Sequence, residues 1–292
     1  ILLRYVPAAP WYRAGPALQT DVHLAGPGIF KQLLLALTVL VAAPASAHVG
    51  HGTNGFSTGF LHPLTGPDHL LAMVAAQTLQ PRRIVDAGCG TGYALTGLQQ
   101  RFPDADLIAL DFAPAMLRRH PPGLAWPLCA DLERLPLADA SIDAIWSNYA
   151  LQWCHPRKAL PELARSLRPG GQLWIATLGP GTLHELRDAF RLVDSHEHVL
   201  PFQPPEVVED AAEDAGLRIL ASERDTLQAW APDLRGLLSD IKTLGAHHTG
   251  ATRRTPLGKT AWHKLVKAYE MHRTPAGLPA SYDTFWLLAE KT

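Results

Sequence analysis

The rhythm of apolar and polar positions changes near residue 77. Downstream of it, short apolar runs alternate with stretches of helical period. RRIVDAG (82–88), DLIALD (106–111), AWPLCAD (125–131), SIDAIWSN (141–148) and QLWIATL (172–178) read as five strands. YALTGLQQRF (93–102) and PRKALPELARSLRPGG (156–171) read as helices between them. Strands separated by helices predict parallel crossovers, and so a doubly wound, mostly parallel α/β sheet. GLRILASERDT (216–226) and YDTFWLLAEK (282–291) are apolar enough to supply strands six and seven. In residues 180–194, Leu183, Leu186, Phe190 and Val193 recur at helical spacing, with Gly181 and Thr182 ahead of them. That predicts a helical insertion after strand five, able either to roof a site or to extend the core.

Upstream the pattern is different. Residues 1–30 mix Pro, Gly and aromatics with no period, and no element is predicted for them. Lys31, the run LLLALTVLV (33–41) and the ending AAPASA at Ala47 follow the layout of a secretory signal, although a buried helix would also fit. The run is too short to span a bilayer, and no later segment has the roughly 18 consecutive apolar residues that a membrane helix needs. HVGHGTNGFSTGFLHPLTGPDHLLAMVA (48–75), above all HPLTGPDHLLAMV, resembles the N-terminus of the hydrogenase and urease accessory membrane proteins of nickel handling. The expected organisation is therefore an irregular 1–30, a 31–76 signal-like segment with a transporter fragment, and a catalytic domain over 77–292.

Composition adds a few exclusions. The 292 residues are 47% hydrophobic with a net charge of -1, so the chain can build a core and is no wholesale nucleic-acid binder. Cys89, Cys129 and Cys154 contain no CxxC pair, which argues against a zinc knuckle or a disulfide framework. His184, His196 and His198 lack a third ligand at helical spacing, and no metal site is expected.

The chemistry concentrates where the first strand ends. Asp86 is followed by Gly88, Cys89, Gly90, Thr91 and Gly92, a D-x-G-x-G-x-G turn leading into a helix. Glycines let the backbone itself approach a ligand and adopt conformations that a Cβ forbids. Asp111 lies 19 residues past Gly92 at the tip of the second strand, where a carboxylate can accept from both ribose hydroxyls. Asp131 and Leu132 end the third strand, suited to an adenine edge. This layout resembles the doubly wound S-adenosylmethionine methyltransferases more than the dinucleotide dehydrogenases.

More specific strings narrow the resemblance. VDAGCGTGYAL, LDFAPAMLRR, DLERLPL, WSNYALQWC, LRPGGQLWIATLGPGTLHELRDAF, LGAHHT and GLPASYD are similar to the malonyl-acyl-carrier-protein O-methyltransferases of biotin synthesis, from about Gln77 to the end. The resemblance implies a seven-stranded sheet with an antiparallel last strand. It also implies methylation of the free carboxylate of malonyl-acyl carrier protein, with S-adenosylmethionine as cofactor. The expected cofactor residues are Asp86, Gly88, Cys89, Gly90, Gly92, Asp111, Phe112, Met116, Asp131, Leu132 and Asn148. In that family, helices before the first strand carry a tyrosine that helps to close over the cofactor. Positions 48–76 here hold unrelated sequence, which leaves open a joined chain with impaired cofactor binding.

A malonyl carboxylate is ionised at neutral pH, so attack on a sulfonium methyl needs no general base. The transition state disperses charge, so a dry, aligned pocket should supply much of the rate. Tyr149, Leu151 and Trp153, just after strand four, are expected to wall it. Arg187, Arg253 and Arg254 are the candidates for holding the carboxylate. From Arg235 to Pro275, eight Lys or Arg stand against Asp240 and Glu270, a local balance of +6 that suits an acidic carrier protein. Aromatics are not interleaved as nucleic-acid stacking would require. A small free acid such as aconitate is the alternative acceptor. The cofactor and carrier place the expected enzyme in the cytoplasm, despite the signal-like run, as a monomer without a stable membrane span.

Overall fold

The computed structural model describes residues 79–243 and 257–292. The signal-like run, the accessory-protein resemblance, LGAHHT, Arg253 and Arg254 lie outside the described residues. In chain order the elements are β1 (Arg83–Ala87), α1 (Leu95–Arg101), β2 (Asp106–Asp111), α2 (Pro114–Leu117), β3 (Trp126–Cys129) and β4 (Ile142–Asn148). A single 3-10 turn (Leu151–Trp153) then leads to α3 (Pro156–Ser166), β5 (Leu167–Leu178), α4 (His184–Arg191) and α5 (Pro205–Asp214). β6 (Leu217–Ala231), α6 (Leu234–Thr243), α7 (Lys259–Glu270) and β7 (Leu278–Lys291) complete the described residues.

The strands form one sheet in the order β3-β2-β1-β4-β5-β7-β6. β1 pairs in parallel with β2 and β4, β2 with β3, and β4 with β5. β7 is antiparallel to both β5 and β6. The strand order reverses between β1 and β4, and at such a switch point the flanking crossovers leave to opposite sides and open a crevice beyond the strand ends.

Both faces of the sheet are buried, so its central strands are apolar almost throughout. On one face Val85, Ile145, Ile175 and Leu287 meet Leu160 and Leu163 of α3 and Val208 of α5. On the other, Ile84, Trp146, Trp174 and Trp286 meet Leu95 and Leu98 of α1. A third cluster joins α4, α6 and α7 to β7 through Leu186, Leu237, Leu265, Tyr269 and Tyr282.

The element bounds differ from the sequence expectation in instructive places. The helix expected over 156–171 stops at Ser166 and β5 begins at Leu167, which pairs with Ile142. Pro169 has no N–H for a helix, and Gly170 turns to φ +73°. The helix expected over 180–194 contracts to His184–Arg191, because Leu183 at φ +52° breaks the helical run and leaves Gly181 and Thr182 in a turn. Strand three ends at Cys129, and Asp131 instead bridges Arg134. β6 and β7 are longer than expected, and α6 and α7 form a second helical insertion between them. No helix among the described residues is long and apolar enough to cross a membrane.

Candidate functional site

The glycine turn is fastened to β2. The N–H groups of Gly88 and Cys89 both donate to the carbonyl of Leu110, at 2.8 and 2.9 Å. Gly88 has φ +81°, and a Cβ there would lie 2.1 Å from Cβ of Ala150, so the residues after β4 press directly on the turn. At Gly90, φ is +55° and a Cβ would meet nothing within 4 Å. The turn is thus packed from behind and open in front, the shape of a backbone cradle. Cys89 is buried into the α1 face, so its contribution to a ligand is its backbone. Gly92, at φ +82°, is crowded by Leu95 and His120 and serves the turn's own packing.

Asp111 sits at the end of β2 with each carboxylate oxygen used once. Oδ2 accepts from the Gly90 N–H and Oδ1 from the Ala113 N–H, both at 2.8 Å. A carboxylate has about four acceptor positions, so each oxygen keeps a lone pair for a hydroxyl. Phe112 and Met116 follow it and are 75% and 38% exposed. Tyr93 on the glycine turn and Trp153 after β4 are 61% and 45% exposed, so large apolar side chains stand in water beyond the ends of three central strands. Asp131 is exposed and caps the N–H of Glu133 at 2.9 Å, whereas Leu132 is buried in the sheet core. Asn148 is half-buried at the end of β4.

Beneath the cradle lies Asp86, 3% exposed, whose Oδ2 has no hydrogen-bond partner among the described residues. Burial, helped by the charge of Asp111, pushes its carboxyl up to about 7. Its register neighbour on β4 is Trp146, whose buried indole N–H is likewise without a partner. A buried carboxylate left this way is costly unless a donor or cation completes it. The residues present therefore fit a ligand with vicinal hydroxyls for Asp111 and a positive end for Asp86.

The segment after β4 provides a second wall. Tyr149 is strained at φ +52°, its N–H donates to the Ala176 carbonyl at 2.8 Å, and its hydroxyl lies 3.4 Å from Oγ1 of Thr284. Burial pushes its phenol up to about 12, against the opposing Thr284 hydrogen bond, so it is a neutral donor and no base at pH 7. Gln152 holds this conformation by donating to the Tyr149 carbonyl at 2.6 Å. Leu151 corrects the expectation for this stretch. It is 2% exposed within the sheet core and walls no pocket, because the 3-10 turn rotates it inward while leaving Trp153 outward.

Arg187 on α4 gives N–H groups to the carbonyls of Pro180 and Thr182, at 2.9 and 3.1 Å, clipping the turn ahead of its own helix. It also lines a cavity of about 650 Å³ with Phe190, His196, His198 and Phe202. Among the described residues no group of three or more His, Cys, Asp or Glu is placed to hold a metal. Sequence reasoning passed over a polar strut at this turn. Asp283 on β7 accepts two hydrogen bonds from Arg224 on β6, both at 2.7 Å, and one from the Gly181 N–H at 2.9 Å. Two positions earlier on β7, Ser281 donates to buried Glu185 of α4 at 2.5 Å. No local pattern signals these pairs, since the partners lie 59 to 102 residues apart.

A family model described as a methyltransferase domain matches residues 85–175, and one described as HupE / UreJ protein matches 35–85, so the two meet in β1. The fold is like that of the YcgJ protein from Bacillus subtilis, with a TM-score of 0.53 at 18% identity, over 76% of this chain and 98% of that one. The malonyl-[acyl-carrier protein] O-methyltransferase of Herminiimonas arsenicoxydans is 40% identical over 211 residues, 72% of this chain and 81% of the relative. That of Dechloromonas aromatica is 47% identical over 217 residues, 73% of this chain and 81% of the relative. At 47% and 40% identity over 81% of each of these relatives, the chain belongs to the malonyl-acyl-carrier-protein O-methyltransferase family.

Proposed function

We propose that the chain transfers a methyl group from S-adenosylmethionine to the free carboxylate of malonyl-acyl carrier protein, an early step of biotin synthesis. The observation that carries the reading is the 47% identity to a protein named for that reaction. When bound, S-adenosylmethionine supplies an electrophilic methyl on a sulfonium. In this reading Asp111 takes the ribose hydroxyls, and the backbone of Gly88, Cys89 and Gly90 cradles the chain between sugar and amino acid. Gly92 shapes the turn. Asp86 answers the positive end through its orphaned oxygen. Phe112, Met116 and the Asp131–Leu132 backbone flank the base, and Asn148 closes the β4 side.

The attacking carboxylate is already ionised, so these residues have no proton to remove. Their work is alignment and exclusion of water, which stabilises the separated charges more than the dispersed transition state. Tyr149 donates its neutral hydroxyl at the acceptor and Trp153 covers it. Arg187 is positioned by two backbone carbonyls with N–H groups to spare, and Arg187 or Arg254 holds the acceptor's second oxygen or its thioester carbonyl. The same reading places a monomeric enzyme in the cytoplasm, where carrier and cofactor are found.

Methyl-labelled S-adenosylmethionine offered with malonyl-acyl carrier protein, malonate or aconitate tests the reading by mass analysis of the products. The carrier-bound malonyl group should be esterified far faster than either free acid, and equal turnover of the free acids would sink the proposal. Asp111→Ala should raise KM for S-adenosylmethionine roughly 10- to 100-fold, the loss of a hydrogen bond to a charged group.

A further inference from the structure

The basic stretch of the sequence resolves into a defined surface. Of its described members, Arg235 lies over the ring of Trp262 at 5.9 Å, and Arg273 is bound to Glu270 and to the carbonyl of Pro232. Lys259, Lys264 and Lys267 are exposed on α7 and form no ion pair with any described residue. His263 is exposed among them, its Nδ1 2.8 Å from the Lys259 carbonyl. At 3.6 residues per turn these four side chains share one side of the helix, while Leu265, Ala268 and Tyr269 are buried on the other. Glu270, half-buried and held by Arg273, is the only acid of α7. Met271, 79% exposed, ends the basic face with an apolar side chain in water. The face therefore has unspent positive charge and an apolar anchor, and its one carboxylate, Glu270, is already held by Arg273, in a chain whose net charge is -1.

We propose that this solvent face of α7 is where an acidic carrier protein docks, with Lys259, Lys264 and Lys267 meeting its carboxylates and Met271 seated against it. The proposal rests on the reading that the methyl acceptor is carrier-borne. Charge complementarity of this kind steers encounter and sets register more than it adds raw affinity, so its loss appears in association and in KM. The position of the helix supports the assignment. α7 packs against α4, which carries Arg187 and Phe190 into the wall of the 650 Å³ cavity, so the docking face and that cavity share one helix pair.

The test compares Lys259→Glu/Lys264→Glu with a control of equal charge change, Arg157→Glu/Arg218→Glu, in the full chain. Both control positions are exposed and lie on α3 and β6. Binding of malonyl-acyl carrier protein is read by surface-immobilised titration, and turnover is read separately on the carrier and on malonyl-pantetheine. The expected result is at least tenfold weaker carrier binding and a matching rise in carrier KM for the α7 variant, with malonyl-pantetheine turnover unchanged and the control near wild type. Equal losses in both variants would reduce the effect to net charge and overturn the proposal. So would unaltered carrier binding in the α7 variant, or wild-type binding to phosphatidylserine vesicles with none to the carrier. A wild-type chain that binds the carrier through α7 but esterifies nothing would overturn the methyl-transfer reading and leave the docking face standing.

Discussion

Asp86 shows how much one side chain depends on what surrounds it. Its carboxyl is raised from 3.8 to about 7 by burial and by Asp111, so between about pH 4 and 7 the folded chain holds a proton that the unfolded chain releases. Stability from this group is therefore greatest below pH 4 and declines as pH rises towards 7. A cationic ligand reverses the preference, because it binds the ionised form. Affinity for S-adenosylmethionine should rise about tenfold from pH 6 to 8, following the ionised fraction of a group with that pKa. Calorimetric titration across this range checks it, and Asp86→Asn should bind more weakly with a flat profile. A flat wild-type profile would remove Asp86 from the site. From sequence, Asp86 was legible as the acid before a glycine turn. Its missing partner was not, because that depends on β4 bringing Trp146 alongside without its indole N–H meeting the carboxylate.

At the scale of elements, the turn that follows β5 is held by charge across the sheet. Burial alone would raise the carboxyl of Asp283, but the Arg224 hydrogen bonds, the Gly181 N–H and the Arg224 charge together hold it below its ordinary range. The strut thus contributes stability above the ordinary carboxylate range, which is lost as pH falls through the lowered value. Arg224→Ala strands a carboxylate 4% exposed, whereas Asp283→Asn leaves a half-exposed guanidinium that water can solvate. Arg224→Ala should therefore be the more destabilising at pH 7, by about 1–2 kcal/mol after allowance for solvent around the arginine. Its deficit should shrink near pH 4.5, because without Arg224 the buried Asp283 of the variant takes up a proton that the intact pair excludes. Thermal unfolding of both variants at the two pH values measures this, and a deficit independent of pH would refute the electrostatic account. Turnover should fall with stability, since the Gly181 turn that leads into α4 hangs from that carboxylate. The amphipathic period of α4 was readable in the chain, but its true start was not. Leu183 enters a left-handed conformation only because its N–H is drawn to the Ser281 carbonyl at 2.6 Å.

For the whole molecule, every described candidate residue lies within 79–292. A chain beginning at His48 should keep its S-adenosylmethionine affinity and its carrier methylation rate within about twofold, read by titration and by product mass. A larger loss would assign residues 1–47 a part in catalysis. Period and composition alone determined the α/β class, the positions of β1 to β5, and the glycine turn with Asp111 after it. These are local: a strand's apolar run, a turn's need for φ above zero and a fixed distance to the next strand end are all written in consecutive residues. Tertiary structure decided the rest. It drew β7 between β5 and β6, lengthened both into a ribbon and set α6 and α7 between them. It also turned Leu151 inward and Tyr149 towards Thr284, and sorted the basic residues into spent cations and a free face on α7. Each of these rests on partners many residues apart, where burial and pairing between distant segments outweigh the preferences of either segment alone.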